Sequence, residues 1–257
     1  MNYVFFGGSE SEFAQIILDK LTADGYPTLA AIRNAHDSLD IIYLKSLKAD
    51  FFLVASFGKI LKKDLLEIPA KGVIGVHPSL LPKYRGASPI QSVILANEKE
   101  TGTCLYIIDE KVDHGPVLAN SELRIMNNDN YESLLKKLAE LSADLILKTV
   151  PSWLAGKIQP QIQDESRATF TKKFITEDAL VDLQKDSPRK IWLTIRALNP
   201  EPGTFTVLKL KNGKDLRLKL LKADFQNDKL ELLEVQPEGK RIMSYKEFLN
   251  GYQKLID

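Results

Sequence analysis

Three short, unbroken apolar runs frame this chain: Tyr3 to Phe6, Phe51 to Ala55 and Val73 to Val76. Runs of four or five such residues read as strands covered on both faces of a parallel sheet. Pro27 to Ile32 reads as a further strand, second in chain order. Helical spacing separates them. Phe13, Ile16, Ile17 and Leu21 form one apolar face, with Ser9 as the expected cap and Glu12 as its capping-box partner. A shorter helical stretch is expected from Leu39 to Leu47. Past residue 88 the pattern predicts a helix over Pro89–Ala96 and strands over Thr101–Ile108 and Val117–Leu123. The Gly- and Pro-containing segment Asp109–Pro116 between those strands is a turn. A long helix starts near Asp129, with Glu132 as capping partner and a stripe of Leu134, Leu135, Leu138, Leu141, Leu145 and Ile146.

Lys157 to Lys173 loses both rhythms and is the best linker candidate. Beyond it, Ile191–Leu198 has helical spacing. Thr204–Leu210, Asp215–Ala223 and Lys229–Gln236 alternate, with turn signals at Asn212-Gly213, Asn227-Asp228 and Pro237-Glu-Gly239. Short alternating strands with such breaks predict a small antiparallel barrel or sandwich.

Composition adds bounds rather than detail. At 257 residues the chain fits two domains or one large one. Cys104 is the single cysteine, so no internal disulfide forms, and a reducing, cytoplasmic setting is expected. The N-terminus lacks a signal-peptide pattern, and no apolar run is long enough to span a bilayer, so no membrane association is expected. The net charge of +1 hides an asymmetry. From Ala179 onward 15 Lys and Arg face 11 Asp and Glu, whereas the rest of the chain has 20 against 23.

Candidate chemistry gathers at Gly75-Val-His-Pro-Ser-Leu-Leu-Pro-Lys-Tyr-Arg-Gly86. His77 falls at the carboxyl end of a strand, where open α/β sheets place ligands. Pro78, Pro82 and Gly86 keep the following chain out of helix and sheet, and Leu80 and Leu81 must pack on the core or on a flat apolar ligand. A loop histidine is commonly satisfied by a backbone carbonyl, but this position also suits polarising a carbonyl or moving a proton. Asp113 is either a local turn residue or a carboxylate that orients His77. His77, His114, Asp109 and Asp113 match no zinc spacing, so no metal is expected. The Gly7-Gly8 turn is either a tight turn or an anion cradle. Lys209, Lys211, Lys214, Arg217, Lys219 and Lys222 form either a solvated sheet face or a surface for nucleic-acid phosphate.

Several of these segments together resemble the folate-dependent formyltransferases, in particular the branch that formylates methionyl-tRNA. The resemblance is carried by His77-Pro-Ser-Leu-Leu-Pro-x-Tyr-Arg-Gly86-Ala-x-Pro-Ile-Gln91, Lys99-Glu-Thr-Gly-Thr103 and Asp109-Glu-x-x-Asp113-x-Gly115. It continues in Ile195-Arg-Ala-Leu-Asn-Pro-x-Pro-Gly203-x-Phe-Thr and Val235-Gln-Pro-x-Gly-Lys240-x-x-Met-Ser244. It implies an α/β fold: a Rossmann-like formyltransferase domain over 1–156, a linker over 157–178 and a small OB-like β-barrel domain over 179–257. It implies 10-formyltetrahydrofolate as co-substrate and the amine of initiator methionyl-tRNA as acceptor, with the protein acting as a monomer in translation initiation. Ser79, Leu80, Leu81 and Pro82 would border the folate. His77 would hold the formyl oxygen, and Asp113 would set the charge of His77 and relay the proton.

Two departures from the family pattern stand out. Its Asn-x-His has Gly75 at the asparagine position, where glycine leaves room for a water or a closer backbone N–H. Its long basic, Gly-rich loop after the second strand is absent here, as Arg33-Asn-Ala-His-Asp-Ser-Leu39 leads directly onward. Two other functions fit parts of the pattern. A formyltransferase for a small amine would not need the basic C-terminal domain. A non-catalytic RNA-binding descendant would not need both His77 and Asp113.

Overall fold

The computed structural model describes residues 1–34 and 40–252. The expected start of the Leu39 helix and most of the short connection after Arg33 lie outside the described residues. The chain divides into two compact units.

The first unit is built on a six-stranded sheet. In chain order it uses β1 (Tyr3–Gly7), α1 (Glu12–Ala23), β2 (Ala30–Ile32), α2 (Ile41–Ser46), β3 (Phe51–Ala55), α3 (Lys63–Leu66), β4 (Val73–His77) and a two-residue β5 (Arg85–Gly86). It continues with β6 (Glu100–Ile107), β7 (Val117–Arg124), α5 (Tyr131–Leu154) and β8 (Phe170–Thr171), whereas α4 (Pro89–Leu95), between β5 and β6 in the chain, groups past Pro89 with the second unit. The sheet order is β2-β1-β3-β4-β6-β7. The first four strands pair in parallel, and β6 and β7 are antiparallel. The unbroken apolar runs are the central strands: Phe5, Phe6, Phe51, Phe52 and Leu53 are fully buried. Each such side chain contributes about 1.5–3 kcal/mol of burial free energy. By contrast, β7 alternates half-buried and exposed residues, as a sheet edge with one solvated face does.

One local expectation changes, and one open choice is decided. Helix α1 is capped by Ser11, whose hydroxyl accepts from the Ala14 N–H at 3.2 Å, rather than by Ser9. The Gly7-Gly8 turn spends its donors internally. The Gly8 N–H meets the Ser56 carbonyl and the Ser9 N–H meets that of Arg33, so it is a tight turn rather than an anion cradle.

The second unit contains α6 (Pro188–Leu198), β9 (Phe205–Lys209), β10 (Asp215–Gln226), β11 (Lys229–Pro237), β12 (Met243–Ser244) and α7 (Tyr245–Tyr252). Its strands form one antiparallel sheet in the order β12-β11-β10-β9. Ser187 caps α6 by accepting from the Lys190 N–H, and Pro188 occupies the first turn. Leu218, Leu220 and Val235 from the sheet, Ile191 and Ile195 from α6, and Phe248 from α7 form its core. Among the described residues, no helix is long and apolar enough to cross a membrane.

Cys104 lies on β6, fully buried, and its sulfur accepts from the Leu81 N–H at 3.3 Å. Burial pushes its thiol pKa up to about 12. Thiolate is the reactive form. An aromatic disulfide reagent at pH 8 is therefore expected to label no thiol in the folded protein and one after denaturation. Rapid stoichiometric labelling of the native protein would contradict this placement.

Candidate active site

Antiparallel pairing of β4 with β6 sets Gly75 opposite Tyr106 and His77 opposite Cys104. Residues two apart on a strand share a face, so these four positions lie together on one side of the sheet. The loop after β4 folds over that face. Leu81 is buried against Cys104 and Tyr106. Leu80 remains half-buried over Gly102, where a Cβ would come within 2.5 Å of the Leu80 side chain. Ser79 is fully buried and does not point outward: its hydroxyl donates to the Lys83 carbonyl at 2.7 Å. Pro82 is half-buried.

His77 is 5 % exposed. Its Nε2 is 2.8 Å from the Tyr84 carbonyl oxygen. A carbonyl only accepts, so Nε2 carries a proton and Nδ1 is the nitrogen left for other work. Nδ1 lies 3.5 Å from Asp113 Oδ2, which is longer than a good hydrogen bond. The backbone-satisfied and the chemical readings of this histidine therefore apply to different ring nitrogens.

Asp113 sits in the turn between β6 and β7, with φ of 46°. Its Oδ2 accepts from the Gly86 N–H at 2.7 Å, and its Oδ1 accepts from the Tyr106 hydroxyl at 2.6 Å. Burial raises the Tyr106 pKa well above 10, with the nearby Asp113 charge adding to it, so the phenol is a protonated donor. A glycine at 75 does not open a water site. A Cβ there would stand 2.5 Å from Tyr106 Cζ and 2.8 Å from its hydroxyl oxygen, so the tyrosine fills the space.

The segment after α5 completes the site. Gln163 donates from Nε2 to the backbone carbonyls of Asp113 (2.9 Å) and Gly115 (2.7 Å). Its Oε1 accepts from Nε and Nη2 of Arg85, at 3.2 and 2.8 Å. Arg85, 1 % exposed, also forks onto Glu165 at 2.9 and 2.6 Å. This hydrogen bonding holds the Glu165 carboxyl below its ordinary pKa. β8 pairs with β5 in parallel beside it. Gln163, Glu165 and Tyr106 are positions that the sequence pattern did not single out. What calls for the first two is the burial of Arg85, seen in the structure: a buried guanidinium needs partners. His114 lies at the edge of this cluster, its Nδ1 2.6 Å from Asp109 Oδ2 and its Nε2 3.7 Å from Glu165 Oε1. Among the described residues, no three His, Cys, Asp or Glu side chains gather as a metal-binding group.

Residues 6–150 match the formyl transferase family model, and residues 173–231 match the formyl transferase C-terminal domain. Methionyl-tRNA formyltransferase of Dictyoglomus turgidum is 41 % identical over 237 aligned positions, covering 82 % of this chain and 74 % of that one. The chain belongs to the methionyl-tRNA formyltransferase family. It is a formyl-group transferase. Solved structures show the same fold at lower identity. Methionyl-tRNA formyltransferase from Clostridium thermocellum superposes with a TM-score of 0.69 at 20 % identity, covering 95 % of this chain and 100 % of that chain. HypX from Aquifex aeolicus in complex with tetrahydrofolic acid gives 0.74 at 14 % identity, covering 99 % of this chain and 48 % of that one.

Proposed function

We propose that this formyltransferase moves the formyl group of 10-formyltetrahydrofolate to the α-amine of initiator methionyl-tRNA. The observation that carries the mechanism is the division of labour on His77: Nε2 held by the Tyr84 carbonyl, Nδ1 free to act beside Asp113. The 3.5 Å gap leaves Nδ1 unspent on the carboxylate, and catalytic contacts commonly tighten only with substrate bound. As an imidazolium beside the Asp113 carboxylate, with its Nε2–H on the Tyr84 carbonyl, His77 donates from Nδ1 to the formyl oxygen as negative charge builds there. The bond from the acceptor nitrogen to the formyl carbon forms, and the bond from that carbon to N10 of the folate breaks. Asp113 receives the proton lost by the attacking amine, directly or through a water, and a proton returns to the departing folate nitrogen. The apolar surface of Leu80 and Pro82, partly exposed and close in sequence to His77, suits the flat ring of the donor.

Support for a tRNA acceptor comes from the family and from the cations of β10 and its preceding turn. The deciding experiment is transfer of labelled formyl from 10-formyltetrahydrofolate to charged initiator tRNA and, in parallel, to small amines such as amino sugars. Formyl-methionyl-tRNA as the main product supports the assignment. Product on small amines alone replaces the acceptor, and no product on either removes the activity.

A further inference from the structure

We infer, on the footing of the formyl-transfer reaction proposed above, that Tyr106 is a positioning residue for Asp113 and that Gly75 is the notch that admits it. The two residues face each other across the β4–β6 ladder. A side chain at 75 would begin where the tyrosine ring stands, 2.5 Å from Cζ. The ring enters because glycine is there, and the hydroxyl then reaches Asp113 Oδ1 at 2.6 Å. The Gly86 N–H fixes the other oxygen at 2.7 Å. With one donor on each oxygen the carboxylate cannot rotate, and Oδ2 is kept toward His77 Nδ1. Tyr106 is 6 % exposed and burial raises its hydroxyl pKa well above 10, so the phenol is the donor in this hydrogen bond. The hydroxyl lies 2.8 Å from the point where a residue-75 Cβ would be. If the ring were removed, an asparagine at 75 would bring an amide donor into the same space. Gly75 and Tyr106 therefore act as one unit: a polar donor delivered from β6 into a gap left on β4.

The test uses six variants of the full chain: Tyr106→Phe, Asp113→Ala, Gly75→Asn, Tyr106→Ala, Gly75→Asn/Tyr106→Ala and Asp113→Ala/Tyr106→Phe. Tyr106→Phe is expected to lower kcat about tenfold to a hundredfold, the usual effect of losing a partner that orients a reacting group. KM for folate and for tRNA stay near their wild-type values, because the hydroxyl touches neither substrate. Gly75→Asn lowers Tm by collision with the ring. Combined with Tyr106→Ala, it recovers Tm and at least tenfold in kcat relative to Tyr106→Ala alone. A wild-type kcat in Tyr106→Phe overturns the inference. So does a double variant no better than Tyr106→Ala. Two Tm cycles read the same interactions without substrate. Strictly additive Tm losses for Gly75 with Tyr106, or for Tyr106→Phe with Asp113→Ala, also overturn it. Absence of transfer by the wild type would remove the proposed reaction, and the Tm cycles would still decide whether the residues interlock.

Discussion

Replacing His77 by alanine, or Asp113 by asparagine, is expected to lower kcat by a factor of about a hundred or more, the scale of lost general acid–base and oxyanion help. The two losses should not multiply. In the proposed mechanism both residues serve one proton and one oxygen, so the double variant should resemble the worse single one. KM for the folate should move little, because the loop proposed to border it is braced independently. The Ser79 hydroxyl bonds the Lys83 carbonyl, and Leu81 is seated on Cys104. Asp113→Asn keeps the shape of the side chain and should remain folded. His77→Ala leaves the Tyr84 carbonyl without its ring donor and should cost some Tm. Steady-state kinetics beside thermal unfolding separate these effects. Turnover within a few-fold of wild type in either folded variant would remove the mechanism.

Neutralising Lys211, Lys214 and Lys219 together to glutamine is expected to raise KM for tRNA roughly tenfold and to reduce the slope of log KM against log salt by about three, one for each phosphate no longer neutralised. The sheet geometry selects these three from the basic run. Lys209 already pairs across the β9–β10 ladder with Asp215 at 2.5 Å, and Lys222 lies 4.0 Å from Glu234 on β11. Arg217 lies over the Phe205 ring at 3.7 Å. Lys211, Lys214 and Lys219 are exposed. KM for the folate should be unaffected. An unchanged salt slope would return this face to the role of a solvated sheet surface.

What the sequence revealed depended on whether a signal was local. The strand Phe51–Ala55 has the limits its apolar run predicts, because a strand buried along nearly its whole length needs every residue apolar. The antiparallel turn of β6 onto β4 was not visible, since pairing direction is a property of two distant segments. Helix α7 was missed although a local signal existed. Ser244 and Glu247 cap each other reciprocally, with the Glu247 carboxylate accepting from the Ser244 N–H at 2.9 Å. In the site, His77 and Asp113 stood out through chemistry at a strand end and a turn. Tyr106 could not, because an apolar strand hides a working hydroxyl, and its purpose appears only when the register sets it against Gly75.

Gln163 has a practical consequence for anyone who divides this chain. It follows the long helix α5 by nine residues and lies in a stretch with no hydrophobic rhythm, the kind of place where a fragment would ordinarily be ended. Its amide nevertheless caps the carbonyls of Asp113 and Gly115, and its oxygen receives the buried Arg85. A piece ending at Leu154 would keep the whole six-stranded sheet and every motif around His77. It would also leave an arginine buried without its carboxylate and the Asp113 turn without its clasp. An excised first unit must run at least through Thr171, where β8 closes on β5. The same holds in transplantation: grafting the His77 loop and the Asp113 turn onto another sheet would carry over the two side chains without the strap that keeps them in register.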